Sequence, residues 1–196
     1  MKHDFPKKYL TDGFTLIELM VTIAVAGILM GIGIPSFSQL ITSNRLTTNI
    51  NELVTSLTFA RSEAIKRGQP VTLLKTGAEW ESGWTVFTDL NGNGVLDNGD
   101  NDILLKNYAA LPSNYTLRST PGYANSLTYQ ATGISQNGSF VLCDNTDGNN
   151  APEANTAKVA IINSVGRVRM GMDTDNDGIP EKDGGEISSC TTSPFT

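Results

Sequence analysis

Gly13-Phe14-Thr15-Leu16-Ile17-Glu18-Leu19 joins a short basic leader to an apolar stretch that carries one carboxylate, five residues past the glycine. A charged side chain in a membrane span costs about 3 kcal/mol on insertion scales, so an acid in this place is a functional residue that needs a counter-charge. The nearest source of one is the amine that a cut between Gly13 and Phe14 would create. Residues 14–34 are apolar apart from Thr15, Glu18 and Thr22, which is about the length that crosses a bilayer as a helix. An ordinary secretory signal has its cleavage site after the apolar run. Here the glycine stands before it, so the leader 1–13 is expected to be removed and the apolar helix kept.

Gly13-Phe14-Thr15-Leu16-Ile17-Glu18 resembles the class III signal of type IV pilins and type II secretion pseudopilins. The resemblance implies a prepilin peptidase that cuts after Gly13 and N-methylates Phe14. It also implies a role for Glu18 in neutralising the terminal amine of a neighbouring subunit in the filament. Pro35 stands where helices of that family carry a proline, preceded by Gly27, Gly31 and Gly33. Glycine and proline lower helix propensity by about 1 and 3 kcal/mol, so the helix is expected to bend or melt there on assembly.

The net charge is −6, and removing the leader, with its three lysines and two aspartates, leaves 11 basic and 18 acidic side chains, or −7. Such a balance argues against a generic nucleic-acid binder and confines any phosphate contact to a local patch. The only histidine is His3, inside the leader. The mature chain therefore lacks the residue on which Ser-His and Cys-His catalysis depend, and an assembly role is expected rather than an enzyme. Cys143 and Cys190 would be delivered to an oxidising compartment, where a disulfide tethering the carboxyl end to the domain is the expected state. Two buried thiols are the alternative.

After Pro35 the pattern becomes amphipathic. Leu46, Ile50, Leu53, Leu57, Ala60 and Ala64 recur at helical spacing between polar residues, which predicts one packed face. Gly68 and Pro70 mark the helix end. Short apolar runs at 71–74, 84–87, 103–105, 126–129, 139–142 and 158–162 then predict an antiparallel sheet covered by that stripe. Trp80, Trp84 and Phe87 are expected in the core or at a sheet edge. The expected architecture is α+β and pilin-like, with a long N-terminal helix packed on antiparallel β structure. Its parts are a leader 1–13, a transmembrane and filament-core helix 14–35, an amphipathic continuation 36–68, and a β domain 69–196.

A second resemblance, to minor pilins and pseudopilins with a GspH/FimT domain, rests on Phe59-Ala60-Arg61-Ser62-Glu63-Ala64-Ile65-Lys66-Arg67, Pro70-Val71-Thr72-Leu73, Gly83-Trp84-Thr85-Val86-Phe87 and the loop from Asp89. It implies a low-abundance subunit near a filament tip. The partners it implies are prepilin peptidase, other major and minor pilins or pseudopilins, and the inner membrane. The chain would cross that membrane once with its domain in the periplasm, before moving into an extracytoplasmic pilus or pseudopilus.

Gly166-Arg167-Val168-Arg169 resembles the DNA-contacting element of FimT-type pilins used in natural transformation. On a strand, Arg167 and Arg169 would share a side about 7 Å apart, a spacing that suits successive phosphates of double-stranded DNA. The alternative is a pair of exposed arginines neutralised by the acids that follow. Among those, Asp173-Thr174-Asp175-Asn176-Asp177-Gly178 opens like a calcium loop, with Asp173, Asp175 and Asp177 as ligands and glycine sixth. Its twelfth position is Gly184, for which Glu181, Asp183 or Glu186 would substitute. Asp89-Leu90-Asn91-Gly92-Asn93-Gly94 repeats the pattern with a weaker ligand set and Asp100 twelfth; two polar turns are the plain alternative. No cofactor is required, and calcium is the one ion the sequence suggests. Bound at Asp173, it would neutralise the loop and free Arg167 and Arg169 for a polyanion. Three functions stay open: a FimT-like pilus subunit that binds DNA, a GspH-like pseudopilin of type II secretion, and a calcium-dependent binding module at a tip.

Overall fold

The computed structural model describes residues 13–97, 99, 101–183 and 185–192, and omits the side chains of residues 33–36, 38 and 39. Leader residues 1–12, the Pro35 side chain and the two twelfth loop positions, Asp100 and Gly184, lie outside the described residues. The chain divides into two compact units, 1–41 and 42–196. Helix α1, Leu16–Arg67, supplies residues to both.

In the first unit, apolar side chains from Leu16 to Ile32 are exposed on every side of the helix, Leu16 at 76% and Ile28 at 65%. No polar face alternates with them. Among the described residues, no helix is long and apolar enough to cross a membrane. The backbone at Pro35 is helical.

In the second unit, Leu46, Ile50, Leu53, Leu57, Ala60 and Ala64 are all buried. Ser56 lies within the same face because its Oγ accepts the Trp84 indole N–H at 2.9 Å. The helix closes where Gly68 takes φ +63 and Gln69 N–H reaches the Ala64 carbonyl at 3.3 Å, a left-handed closure that glycine adopts without penalty.

The β structure comprises β1 Val71–Lys75, β2 Trp84–Thr88, β3 Leu104–Tyr108, β4 Tyr115–Ser119, β5 Ser126–Tyr129, β6 Gly138–Asp144, β7 Ala157–Ile162 and β8 Val168–Met170. These form two antiparallel sheets, ordered β3-β2-β1-β5 and β4-β6-β7-β8, rather than the single sheet expected. The helix stripe packs into one core with Leu73, Trp84 and Val86 of the first sheet and Leu117, Phe140, Leu142, Ala160 and Ile162 of the second. Alternation along β6 and β7 sends Val141, Cys143, Val159 and Ile161 to the other face of the second sheet. There they form a second core with Ile187 and Cys190 of the C-terminal segment. The Cys143–Cys190 disulfide fastens that segment in place. Arg118 on edge strand β4 adds a polar clasp, donating from Nε to the Thr191 carbonyl at 3.0 Å and from a terminal nitrogen to Glu81 at 2.5 Å.

Candidate functional site

Thr15 immediately precedes α1, and its hydroxyl accepts the Glu18 N–H at 3.2 Å. Thr15 thus caps α1 through the backbone of Glu18 at N3, and the acid lies in the first turn, where the helix dipole favours it. This local role stands beside the expected intersubunit one. Its signal, Thr15-Leu16-Ile17-Glu18, was present in the sequence.

The Arg167 and Arg169 pair belongs to the hairpin joining β7 to β8. Arg167 lies in the turn rather than on β8. Its N–H donates to Asn163 Oδ1 at 2.9 Å, and its carbonyl accepts Asn163 N–H at 3.1 Å. Arg167 and Arg169 flank Val168, which packs against the main core, and both are exposed. Arg169 is engaged by Asp183 at 2.5 Å, so the neutralising alternative holds for this arginine.

Gly166 is a packing requirement. It has φ +76, and a Cβ there would lie 2.0 Å from the Gly133 carbonyl oxygen. Arg61 of α1 secures this contact, donating from Nε to the Gly133 carbonyl at 2.9 Å and from Nη2 to the Val165 carbonyl at 3.1 Å. No local pattern in α1 signals that this arginine serves two distant loops.

In the Asp173 loop, one carboxylate oxygen from each of Asp173, Asp175 and Asp177 lies within 4.8 Å of the others. Asp173 Oδ2 accepts Gly178 N–H, Asp175 Oδ1 accepts Asp177 N–H, and Asp177 Oδ1 accepts Ile179 N–H. Glu181 and Asp183, expected as substitutes for the twelfth ligand, are occupied elsewhere. Buried Glu181 accepts the Thr174 N–H and hydroxyl, and Asp183 meets Arg169. Glu186 is exposed.

The Asp89 loop repeats these bonds position for position. Asp89 Oδ2 accepts Gly94 N–H at 3.1 Å, Asn91 Oδ1 accepts Asn93 N–H at 2.9 Å, and Asn93 Oδ1 accepts Val95 N–H at 2.8 Å. Unlike Asp173, Asp89 is fully buried.

The family described as Type II transport protein GspH matches residues 49–166, and the prokaryotic N-terminal methylation motif matches residues 11–34. The chain belongs to the GspH family. A fimbrial protein of Pseudomonas aeruginosa is 35% identical over 100 residues, covering 47% of this chain and 64% of its own length. The pilin-like protein PilA1 of Thermus thermophilus is 36% identical over 90 residues, covering 45% and 54%. The chain thus spans less than two thirds of the length of these curated relatives. The crystal structure of the type IV minor pilin FimU of P. aeruginosa covers 75% of this chain and 96% of its own, with a TM-score of 0.52 and 23% identity, a likeness of fold. This GspH-family chain is therefore pilin-like in both its N-terminal motif and its domain. The GspH match contains the Asp89 loop and ends at Gly166, so Arg167, Arg169 and the Asp173 loop lie beyond it.

Proposed function

We propose that this GspH-family chain is a non-catalytic minor subunit of a type IV pilus system, processed between Gly13 and Phe14 and assembled at or near the filament tip. The observation that carries the reading is a methylation motif opening a helix whose apolar side chains are exposed all round. A helix apolar on every side is stable in lipid or among other helices, not in water. Residues 14–34 hold the subunit in the inner membrane, and the same surface enters the filament core on extraction. Glu18 then meets the methylated amine of Phe14 on an adjoining subunit, and correct pairing of that buried charge sets axial register. The fimbrial names of the curated relatives support a pilus; the family description, type II transport, supports the pseudopilin alternative. Glu18→Ala is expected to leave cleavage intact and trap the protein in the membrane. Sheared-pilus fractions containing the variant at wild-type levels would refute the role.

The finer function proposed is backbone-directed binding of double-stranded DNA through Arg167 and Arg169, supported by their exposure on either side of Val168. Binding should weaken with salt and be lost in Arg167→Ala/Arg169→Ala. Asp183→Asn should tighten it by releasing Arg169. Equal affinity in the double variant would leave a structural subunit with no DNA role. A second reading, calcium at Asp173, Asp175 and Asp177, is favoured by the 4.8 Å convergence of their oxygens. Calcium titration of Asp173→Asn/Asp175→Asn/Asp177→Asn tests it, and unchanged stoichiometry would end it.

A further inference from the structure

Each sheet ends in two edge strands, and an edge strand offers unpaired backbone groups to any chain that can lie beside it. Three of the four edges carry a charged residue that resists such pairing: Lys106 on β3, Arg118 on β4 and Arg169 on β8. On β4 the Leu117 N–H is also taken up, by Glu81 at 3.2 Å. Edge strand β5 has no such guard. It contains no charge and no proline, and its register with β1 runs without a bulge. The whole stretch from Ser119 to Cys143 is uncharged, in a chain whose net charge is −6.

The register decides where the β5 backbone points. Lys75 N–H donates to the Asn125 carbonyl at 3.1 Å, which makes these two a hydrogen-bonded pair. Such pairs alternate along an antiparallel ladder. Leu127 and Tyr129 therefore bond to Leu73 and Val71 of β1, while Ser126 and Thr128 turn their N–H and C=O groups away from it. The other edge of β1 agrees, since Asp89 N–H to the Pro70 carbonyl and Thr76 N–H to the Gly83 carbonyl assign the groups of Thr72 and Leu74 to β2. Among the described residues, no backbone hydrogen bond reaches the outward groups of Ser126 or Thr128. Ser126, Thr128 and Gln130 line a groove of about 390 Å³ together with Ile134, Ser135 and Gln136. Ile134 is half-exposed there.

We propose that the β5 edge is a docking surface for an extended, uncharged peptide strand of another protein, which joins the first sheet as its fifth strand and sets side chains against Ile134 in the groove. The backbone fixes the conformation of the occupant: two residues, each with a donor and an acceptor facing out at strand spacing, match the edge of a second strand. The groove fixes its composition. A charged side chain seated beside Ile134 would lose water, and none of the lining residues carries a counter-charge to meet it.

The test is residue-resolved amide exchange of the full chain in detergent, with and without a capped pentapeptide of alternating threonine and valine as the probe strand. In the free chain, Ser126 and Thr128 should exchange fast beside slow Leu127 and Tyr129. Millimolar peptide should slow Ser126 and Thr128 by about tenfold or more, and the same peptide with a central proline should leave them fast. Ser126→Pro removes only an outward N–H and keeps the ladder to β1. That variant and Ile134→Lys should each lose the slowing at Thr128. Unslowed exchange at millimolar peptide, or equal slowing in both variants and wild type, would overturn the proposal. Slow exchange at Ser126 and Thr128 without peptide would overturn it too: protection that grows with protein concentration would give the edge to a second copy, and protection that does not would mean the edge is already covered. Should Ser126→Pro not fold, Ile134→Lys decides alone.

Discussion

The Asp89 and Asp173 loops satisfy the same three backbone N–H groups with the first, third and fifth side chains, yet Asp89 is wholly buried and Asp173 is exposed. Spacing of Asp, Asn and Gly is enough to write the turn, because each bond spans five residues or fewer. What surrounds the turn is set elsewhere in the chain. Asp89 directly follows β2 and is held by Thr72 of β1, two strands of one sheet. The Asp173 loop is part of the C-terminal segment, attached through Gly171 N–H to the Val159 carbonyl, Asn155 N–H to the Gly178 carbonyl, and the disulfide. By ligand chemistry alone the Asp173 loop is the stronger calcium motif, yet it is Asp89 that is held away from solvent.

The comparison predicts that removing the disulfide loosens one loop and spares the other. Cys143→Ser/Cys190→Ser closes no 47-residue separation, which should lower stability by about 4 kcal/mol in the chain-entropy model. Amide exchange should quicken at residues 172–181 and stay slow at Asp89. Equal quickening in both loops would break the distinction.

Glycine replacement should invert the ranking by burial. A Cβ on Gly178 would stand 2.8 Å from Ala154 Cβ and 3.0 Å from its Cα, whereas one on Gly94 would meet the Ser126 side chain, with Oγ at 3.2 Å and Cβ at 3.9 Å. Both carry the strain of positive φ, so Gly178→Ala should lower stability by roughly 2–3 kcal/mol and Gly94→Ala by about 1 kcal/mol. Denaturant midpoints would report the order, and a larger loss at Gly94 would contradict it.

The smallest effect should come from Asp173→Asn without calcium, which keeps an oxygen for the turn and changes an exposed charge. A shift within about 0.5 kcal/mol is expected. A loss above 1 kcal/mol would mean that the exposed loop is held by its charge as well as by its turn. As a pH reference outside both loops, Arg67 beside Glu63, aided by Lys66, holds the Glu63 carboxyl below its ordinary value. That pair therefore contributes above the unfolded carboxylate range and is lost as pH falls through the lowered value, with a small amplitude because the pair lies at the surface.

The helix stripe and most strands were legible because their periods are local: Leu46 to Ala64 at helical spacing, and Trp84 to Phe87 or Ser139 to Leu142 as short apolar runs. Strand β4 escaped because Tyr115-Thr116-Leu117-Arg118-Ser119 carries an arginine at a position that would otherwise read as solvent-facing. Arg118 is in fact the clasp on the C-terminal segment. Two sheets instead of one could not be read at all, since β5 inserts beside β1 and β4 beside β6 across long separations. The same limit applies to the sites. The Gly13, Phe14 and Glu18 motif is contiguous, and the cap at Thr15 is legible in it. Arg169's partner, Asp183, lies fourteen residues on, and Asp89's burial depends on a threonine seventeen residues back.

The two hydrogen bonds of Arg61 also have a mechanical reading. The turn that leads into Arg167 is fastened to α1 by a guanidinium, independently of the ladder that joins β7 to β8. Tension applied at that turn would therefore have a route into the helix that bypasses the sheet.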